Sequence, residues 1–130
     1  MYYFIDDEHK NNFFFLMKQY GFKVGEDGQH EAAIYVSSIR DIFKLITKEE
    51  LEKTVYDRIS PLYSLAKWDE DEDTHVFVHP GLTGSTRRMS QFGLSLYNGY
   101  PVALDEVFGS VSSKALIEVL LQAIKIRIKY

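Results

Sequence analysis

Hydrophobic positions in this chain recur mostly at intervals of three and four residues, the spacing of an amphipathic helix. The clearest such segment lies beyond the middle of the chain. Its apolar positions are Met89, Phe92, Gly93, Leu96, Tyr97 and Tyr100. Ser85 or Thr86 can cap this helix through a hydroxyl, and Gly99 can end it in a left-handed conformation. We therefore predict a helix between these signals, with one face buried and Gly93 at a close helix–helix approach.

The same spacing, together with residues that cap helices, predicts further helices along the chain. Thr47 and Glu50 match a capping box, in which each side chain accepts a hydrogen bond from the backbone of the other residue. Ser60 with Pro61 starts a short helix that extends toward Trp68. The predicted starts are, in order, Asp6 or Asp7, Asp27 or Gly28, Ser38 with Asp41, Thr47, Ser60, and a residue between Ser110 and Ser113.

Two apolar segments fit either a helix or a buried strand. We favour a helix for Ala32–Val36, because two alanines begin it. Lys125–Lys129 alternates between polar and apolar residues, and we extend the last helix through about Ile126. Thr74–Val78 also alternates and is rich in residues that favour strands, so a short strand or hairpin is predicted near Val76.

These elements predict a mainly α protein. The chain has 130 residues, of which 45% are hydrophobic, including nine tyrosines and nine phenylalanines. That length and composition suit a single compact helical domain covering residues 1–130, with five or six helices. The broad apolar face of Leu116–Ile124 makes the last helix the predicted core helix.

Composition excludes several classes of function. The chain has no cysteine, so it has neither disulfides nor thiolate chemistry. A formal net charge of −4 disfavours binding to nucleic acid or to an anionic membrane. No apolar run approaches the length of a membrane span, and the N-terminal residues lack the features of a signal peptide. We therefore expect a cytoplasmic protein.

One cluster is arranged as if for a ligand: Gly84, Ser85, Thr86, Arg87 and Arg88. The first N–H groups of a helix are unpaired and attract phosphate or carboxylate, and two arginines add positive charge. The segment does not match the phosphate-binding P-loop, which needs a lysine directly before the Ser/Thr. An ordinary capped helix with two solvated arginines accounts for the same residues.

Other polar clusters do not match a known catalytic or metal motif. Asp69–Asp73 has the first spacing of a calcium loop but lacks its glycine and its final glutamate. His75 and His79 would share one side of a strand, although zinc needs three or four ligands. Asp6–His9 places acids beside a histidine at a helix start, where the helix dipole alone favours acids. We predict no catalytic residue, no metal and no cofactor.

Three segments resemble an uncharacterised family of small proteins from Gram-positive bacteria and their mobile elements. They are Asp7-Glu8-His9-Lys10 with Phe13, Gly84-Ser85-Thr86-Arg87 leading to Leu96-Tyr97-Asn98-Gly99, and Ala123-Ile124-Lys125-Ile126-Arg127. The resemblance implies no reaction. It implies that the gene belongs to a phage or other mobile element, and that the Asp7 and Ser85 regions lie near each other.

The function that fits these observations is a non-enzymatic binding or regulatory module. Its expected partner is a protein or a second copy of itself, because so many aromatic residues can exceed what one core hides. Symmetric dimers are the commonest oligomers, so a homodimer is predicted. The alternative is an enzyme or sensor for a small phosphorylated or nucleotide ligand bound at the helix start near Ser85.

Overall fold

Seven α-helices, one 3₁₀-helix and one β-hairpin form the computed structural model, which describes residues 1–130. The first half contains α1 (Asp7–Tyr20), α2 (Gly28–Ser37), α3 (Arg40–Phe43), α4 (Lys48–Asp57) and the 3₁₀-helix (Pro61–Leu65). The second half contains β1 (Ala66–Asp69), β2 (Thr74–Phe77), α5 (Gly84–Asn98), α6 (Leu104–Ser110) and α7 (Lys114–Ile128). The predicted mainly α fold is confirmed, as is the hairpin near Val76.

Several helix ends follow directly from local sequence signals. The Asp6 side chain accepts a hydrogen bond from the backbone N–H of His9 and caps α1. Thr47 and Glu50 form the predicted capping box at the start of α4. Gly21 and Gly99 end α1 and α5 with φ angles of 74° and 81°, the left-handed region that glycine adopts without steric cost.

Two local predictions are wrong. Ser38 does not cap α3, because its hydroxyl donates to the carbonyl of Ile34, at 2.6 Å, in the preceding helix. Ile39 occupies the N-cap position instead and makes no side-chain cap bond. Trp68 lies on β1 rather than on a helix, with 54% of its surface exposed. For Ser38 a bond to the preceding helix replaces the cap, and for Trp68 pairing with β2 replaces the helix.

Helix α2 lies at the centre of the protein. All five residues of Ala32–Val36 have no exposed surface, and α2 packs against both α5 and α7. A helix buried on every side carries no amphipathic stripe, which is why its sequence did not distinguish helix from strand. The second ambiguous segment is also helical, since α7 continues to Ile128.

Glycines allow α2 to contact two helices closely. A Cβ atom on Gly93 of α5 would lie 2.8 Å from Leu62 Cδ1 and 3.1 Å from Val36 Cβ. One on Gly28 of α2 would lie 3.0 Å from the carbonyl oxygen of Arg127 in α7. All three distances are below ordinary van der Waals contact, so these elements approach as closely as they do only because the glycines have no side chain.

The hairpin covers one end of the core. Its two strands are antiparallel, with Ala66 opposite Phe77 and Asp69 opposite Thr74. Phe77 is the buried end of the hairpin, and the hydroxyl of Tyr100 donates to the carbonyl of His75, at 2.8 Å. These contacts fix the strands beside α5 and place the acidic turn in solvent.

Candidate functional site

The predicted anion-binding segment lies at the start of α5, but its cap differs from the prediction. Thr83, not Ser85 or Thr86, is the N-cap residue. Its hydroxyl accepts from the backbone N–H of Thr86 at 3.1 Å, and the Thr86 hydroxyl accepts from the backbone N–H of Thr83 at 2.8 Å. The hydroxyl of Thr86 is therefore engaged within the protein, and Thr86 is buried.

The two arginines next to this cap have partners within the protein. Arg87 Nε donates to the carbonyl of Phe77, at 3.1 Å, and so joins α5 to the end of β2. One terminal nitrogen of Arg88 lies 3.0 Å from a Glu106 carboxylate oxygen on α6 and 3.3 Å from the side chain of Gln91. The chain's own acceptors therefore already bind both guanidinium groups.

Ser85 and Gly84 complete the segment. The Ser85 hydroxyl donates to the carbonyl of Ser110, at 3.2 Å, while a Cβ on Gly84 would meet nothing within 4 Å. Anion binding at this helix start stays a prediction. Helix α1, which begins at Asp7, and helix α5, which contains Ser85, both pack against α2 and α3. The proximity of the Asp7 and Ser85 regions stays a prediction.

The two histidines considered as zinc ligands, His75 and His79, contact other groups in the structure. The ring of His75 packs edge-on against Tyr63 and Trp68, with centroids 4.9 and 5.3 Å away. Nδ1 of His79 accepts from the backbone N–H of Gly81, at 3.0 Å. Asp69 accepts two backbone N–H bonds within the acidic turn. The structure contains no group of three or more His, Cys, Asp or Glu residues placed to hold a metal ion.

His9 is fully buried, and no exposed face of its ring could meet a substrate. Its Nδ1 accepts from the backbone N–H of Ile5, at 3.2 Å, and its Nε2 lies 2.9 Å from the carbonyl oxygen of Tyr35. The neighbouring acidic residues lie at the start of α1, and Asp6 is its N-cap. The Asp6–His9 cluster is therefore part of the core and of a helix terminus.

A second Asp–His pair, Asp27 with His30, was not predicted from the sequence. Asp27 caps α2, and its other carboxylate oxygen lies 3.0 Å from His30 Nδ1. Burial raises the pKa of Asp27, but hydrogen bonds and charge from His30 outweigh it and hold that pKa below its usual value. Nε2 of His30 lies 2.9 Å from the carbonyl oxygen of Arg58. Both ring nitrogens are engaged, so this pair ties α2 to the end of α4 rather than presenting a base.

Glu31 is a buried acid that was not predicted from the sequence. It has no exposed surface, and its carboxylate accepts from the backbone N–H of Gly25, at 2.7 Å, and from the hydroxyl of Tyr2. Burial, and secondarily the Glu31 carboxylate, raise the pKa of the Tyr2 hydroxyl. Glu31 thus fastens the N-terminal segment and the first loop to α2. Its position directly before the apolar run Ala32–Val36 was the one available signal.

An apolar groove lies between α1 and α4. It encloses about 430 Å³. It is lined by Phe15, Gln19, Lys48, Leu51, Glu52, Val55 and Tyr56, and is called here the α1–α4 groove. Tyr56 is 86% exposed and Phe15 is 46% exposed, although both are large aromatic side chains.

Comparison with protein-family models, curated proteins and solved structures gave no match. The family resemblance described from the sequence therefore stays a prediction. None of the helices combines the length and the apolar composition needed to span a lipid bilayer.

Proposed function

We propose that this protein is a non-enzymatic binding module that contacts protein through the α1–α4 groove. The observation that carries this proposal is the exposure of Phe15 and Tyr56 beside the half-buried Leu51 and Val55. Apolar side chains that line one exposed groove mark interaction sites, and aromatic residues dominate the binding energy of protein interfaces. Such a module would act by association and could regulate the partner that it covers.

We propose further that the groove binds a second copy of the same chain. A two-fold symmetric interface must be complementary to itself. Lys48 and Glu52 line the groove with opposite charges, and neither forms an ion pair within the protomer. Across a two-fold axis, Lys48 of each copy would meet Glu52 of the other. Dimerisation through the groove would therefore bury apolar surface and pair opposite charges between the two copies.

The competing hypothesis is a sensor or enzyme for a small phosphorylated or nucleotide ligand at the start of α5. Its support is weaker, because Thr86, Arg87 and Arg88 are bound by the chain's own groups. A ligand would share each guanidinium group with those partners, because a guanidinium group has five N–H donors. The exposed aromatic side chains of the α1–α4 groove face no such competition.

Sedimentation velocity over a range of protein concentrations tests the proposal. We expect a monomer–dimer equilibrium that Phe15→Ser shifts toward monomer, because Phe15 lines the groove. Phe14→Ser is the matched control, since Phe14 is on the same helix with 47% exposure but does not line the groove. A wild-type monomer at high micromolar concentration would overturn the proposal, as would equal weakening by both variants.

A further inference from the structure

The β-hairpin has two outer edges, and the rest of the chain covers only that of β2. The sheet consists of β1 and β2 alone, so no third strand pairs with either. The carbonyl of Phe77 accepts from Arg87 Nε of α5, at 3.1 Å. The carbonyl of His75 accepts from the hydroxyl of Tyr100, at 2.8 Å. Side chains from α5 and the loop after it therefore occupy the outer edge of β2.

The register of the hairpin identifies the free backbone groups on β1. In an antiparallel pair, successive residues direct their N–H and C=O groups alternately toward the partner strand and away from it. Since His75 and Phe77 direct their carbonyls away from β1, the residues opposite them, Trp68 and Ala66, direct theirs away from β2. The N–H of Ala66 agrees with this, because it donates to the carbonyl of Tyr63. Outside the hairpin, no backbone group of the protein is hydrogen-bonded to Trp68.

The side chains along this open edge are exposed. Both Lys67 and Trp68 are exposed, and 54% of the Trp68 surface is in contact with solvent. The Trp68 ring packs edge-on against His75 of β2, with centroids 5.3 Å apart, so it lies on the sheet beside the open edge. An unpaired strand edge can accept an extended segment of another chain, in which main-chain bonds supply affinity and neighbouring side chains supply specificity.

The charge of the hairpin decides which segment fits this edge. Strand β1 leads directly into five consecutive acids, Asp69–Asp73, and none of them forms an ion pair within the protein. Lys67 is the only lysine or arginine in the hairpin. A second copy of the chain would bring five more acids and one more lysine to the edge, whereas a basic segment neutralises the acids. A cation opposite Trp68 can also lie over its ring, which is a favourable contact.

We infer that β1 binds an extended, basic segment of another protein, which adds a third strand at the open edge. The backbone of that segment pairs with the N–H and C=O of Trp68. One basic side chain lies on the Trp68 ring, and others lie near the acidic turn. This surface shares no residue with the α1–α4 groove, and neither proposal depends on the other.

An amide NMR titration with the peptide acetyl-Lys-Val-Lys-Val-Lys-amide, combined with hydrogen exchange, tests the inference. In the free protein the amide of Trp68 should exchange rapidly, because it has no acceptor, whereas that of Val76, which faces β1, should be protected. The peptide should cause saturable shifts at residues 66–70 and slow the exchange of the Trp68 amide several-fold. A Trp68 amide that is already protected in the free protein, or the absence of saturable shifts, would overturn the inference.

Two peptides of the same length separate strand addition from simple attraction to the acids. The first has every backbone nitrogen methylated, so it keeps its lysines but cannot donate to the Trp68 carbonyl. The second has glutamate in place of each lysine. Each should bind roughly tenfold more weakly or not at all. Equal binding of the methylated peptide would overturn the strand addition, and equal binding of the glutamate peptide would overturn the basic partner.

Variants of the protein place the binding on the hairpin. Asp71→Asn combined with Asp73→Asn should weaken peptide binding several-fold, and asparagine tolerates the left-handed conformation of residue 73, whose φ is 52°. Asp105→Asn combined with Glu118→Gln is the matched control, since it removes the same charge from exposed positions outside the hairpin. Trp68→Ala should also weaken binding. Equal weakening by the two double variants would show that overall charge attracts the peptide and would contradict the inference.

Discussion

His9 Nε2 lies 2.9 Å from the carbonyl oxygen of Tyr35, inside the protein. Because Nδ1 of the same ring accepts from the backbone N–H of Ile5, Nε2 must donate to that carbonyl. The neutral ring thus connects the N-terminal segment to α2. Burial lowers the pKa of His9, although the Tyr35 carbonyl and the charge of Asp6 act in the opposite direction.

We therefore expect the free energy of unfolding to fall as the pH drops below about 6.5, the usual pKa of histidine in an unfolded chain. The unfolded chain takes up the proton first, because the folded-state pKa of His9 is lower. The contribution of the neutral ring is complete above the unfolded pKa and is lost as the pH falls toward the folded one.

Urea titrations at about pH 7.5 and about pH 5.5 measure this loss. His9→Gln should be less stable at both values but should lose less stability between them. The other three histidines are present in both proteins, so the difference isolates His9. An equal loss in the variant would show that His9 does not carry the pH dependence.

The contact of Gly93 with α2 predicts an unusual response to alanine. Alanine normally stabilises a helix interior by about 1 kcal/mol over glycine. At Gly93 the new methyl group would lie 2.8 Å from Leu62 and 3.1 Å from Val36, and overpacking of this kind costs about 1–3 kcal/mol. Gly93→Ala should lower the melting temperature, whereas Gly109→Ala in α6, where a Cβ meets nothing within 4 Å, should not. Comparable stabilisation by both changes would refute the close approach.

Adjacent leucines of α7 test the assignment of this helix to the core. Leu120 has no exposed surface, whereas Leu121 is 41% exposed. Leu120→Ala should cost about 2–5 kcal/mol of unfolding free energy, as at other buried leucines. Leu121→Ala should cost much less, since part of its side chain is already in water. Equal losses in chemical denaturation would mean that the buried face is assigned incorrectly.

The arginines of α5 distinguish a structural role from an anion site. Arg87→Ala should destabilise the protein by about 1 kcal/mol, because it removes the bond to the Phe77 carbonyl. Arg88→Ala should cost less, since its ion pair with Glu106 is partly exposed. Both losses should be independent of phosphate in thermal melts. A phosphate-dependent rise in melting temperature that the double variant abolishes would instead support the anion site.

Helix termini could be predicted from the sequence because their signals are local. The Thr47–Glu50 box and the ends at Gly21 and Gly99 each involve residues a few positions apart. The cap at Thr83 was missed because its partner at the third helical position is Thr86, where the usual box has Glu or Gln.

The polar contacts that join distant elements could not be predicted in this way. Glu31 binds Tyr2, which lies 29 residues away, and His30 binds the carbonyl of Arg58, 28 residues away. Such pairs depend on how the helices pack, which one sequence does not specify. The α1–α4 groove also depends on helix packing. Phe15 and Tyr56 come from helices that are separated along the chain by α2 and α3.

Self-association through the α1–α4 groove is tested most directly by a charge exchange between Lys48 and Glu52. Lys48→Glu places two acids on the groove and Glu52→Lys places two bases there, so each variant alone should repel its own copy and sediment mainly as monomer. Mixed in equal amounts, the two variants have opposite charges at both positions. We predict that the mixture regains a dimer in sedimentation velocity. A mixture that stays as monomeric as its separate components would contradict the account.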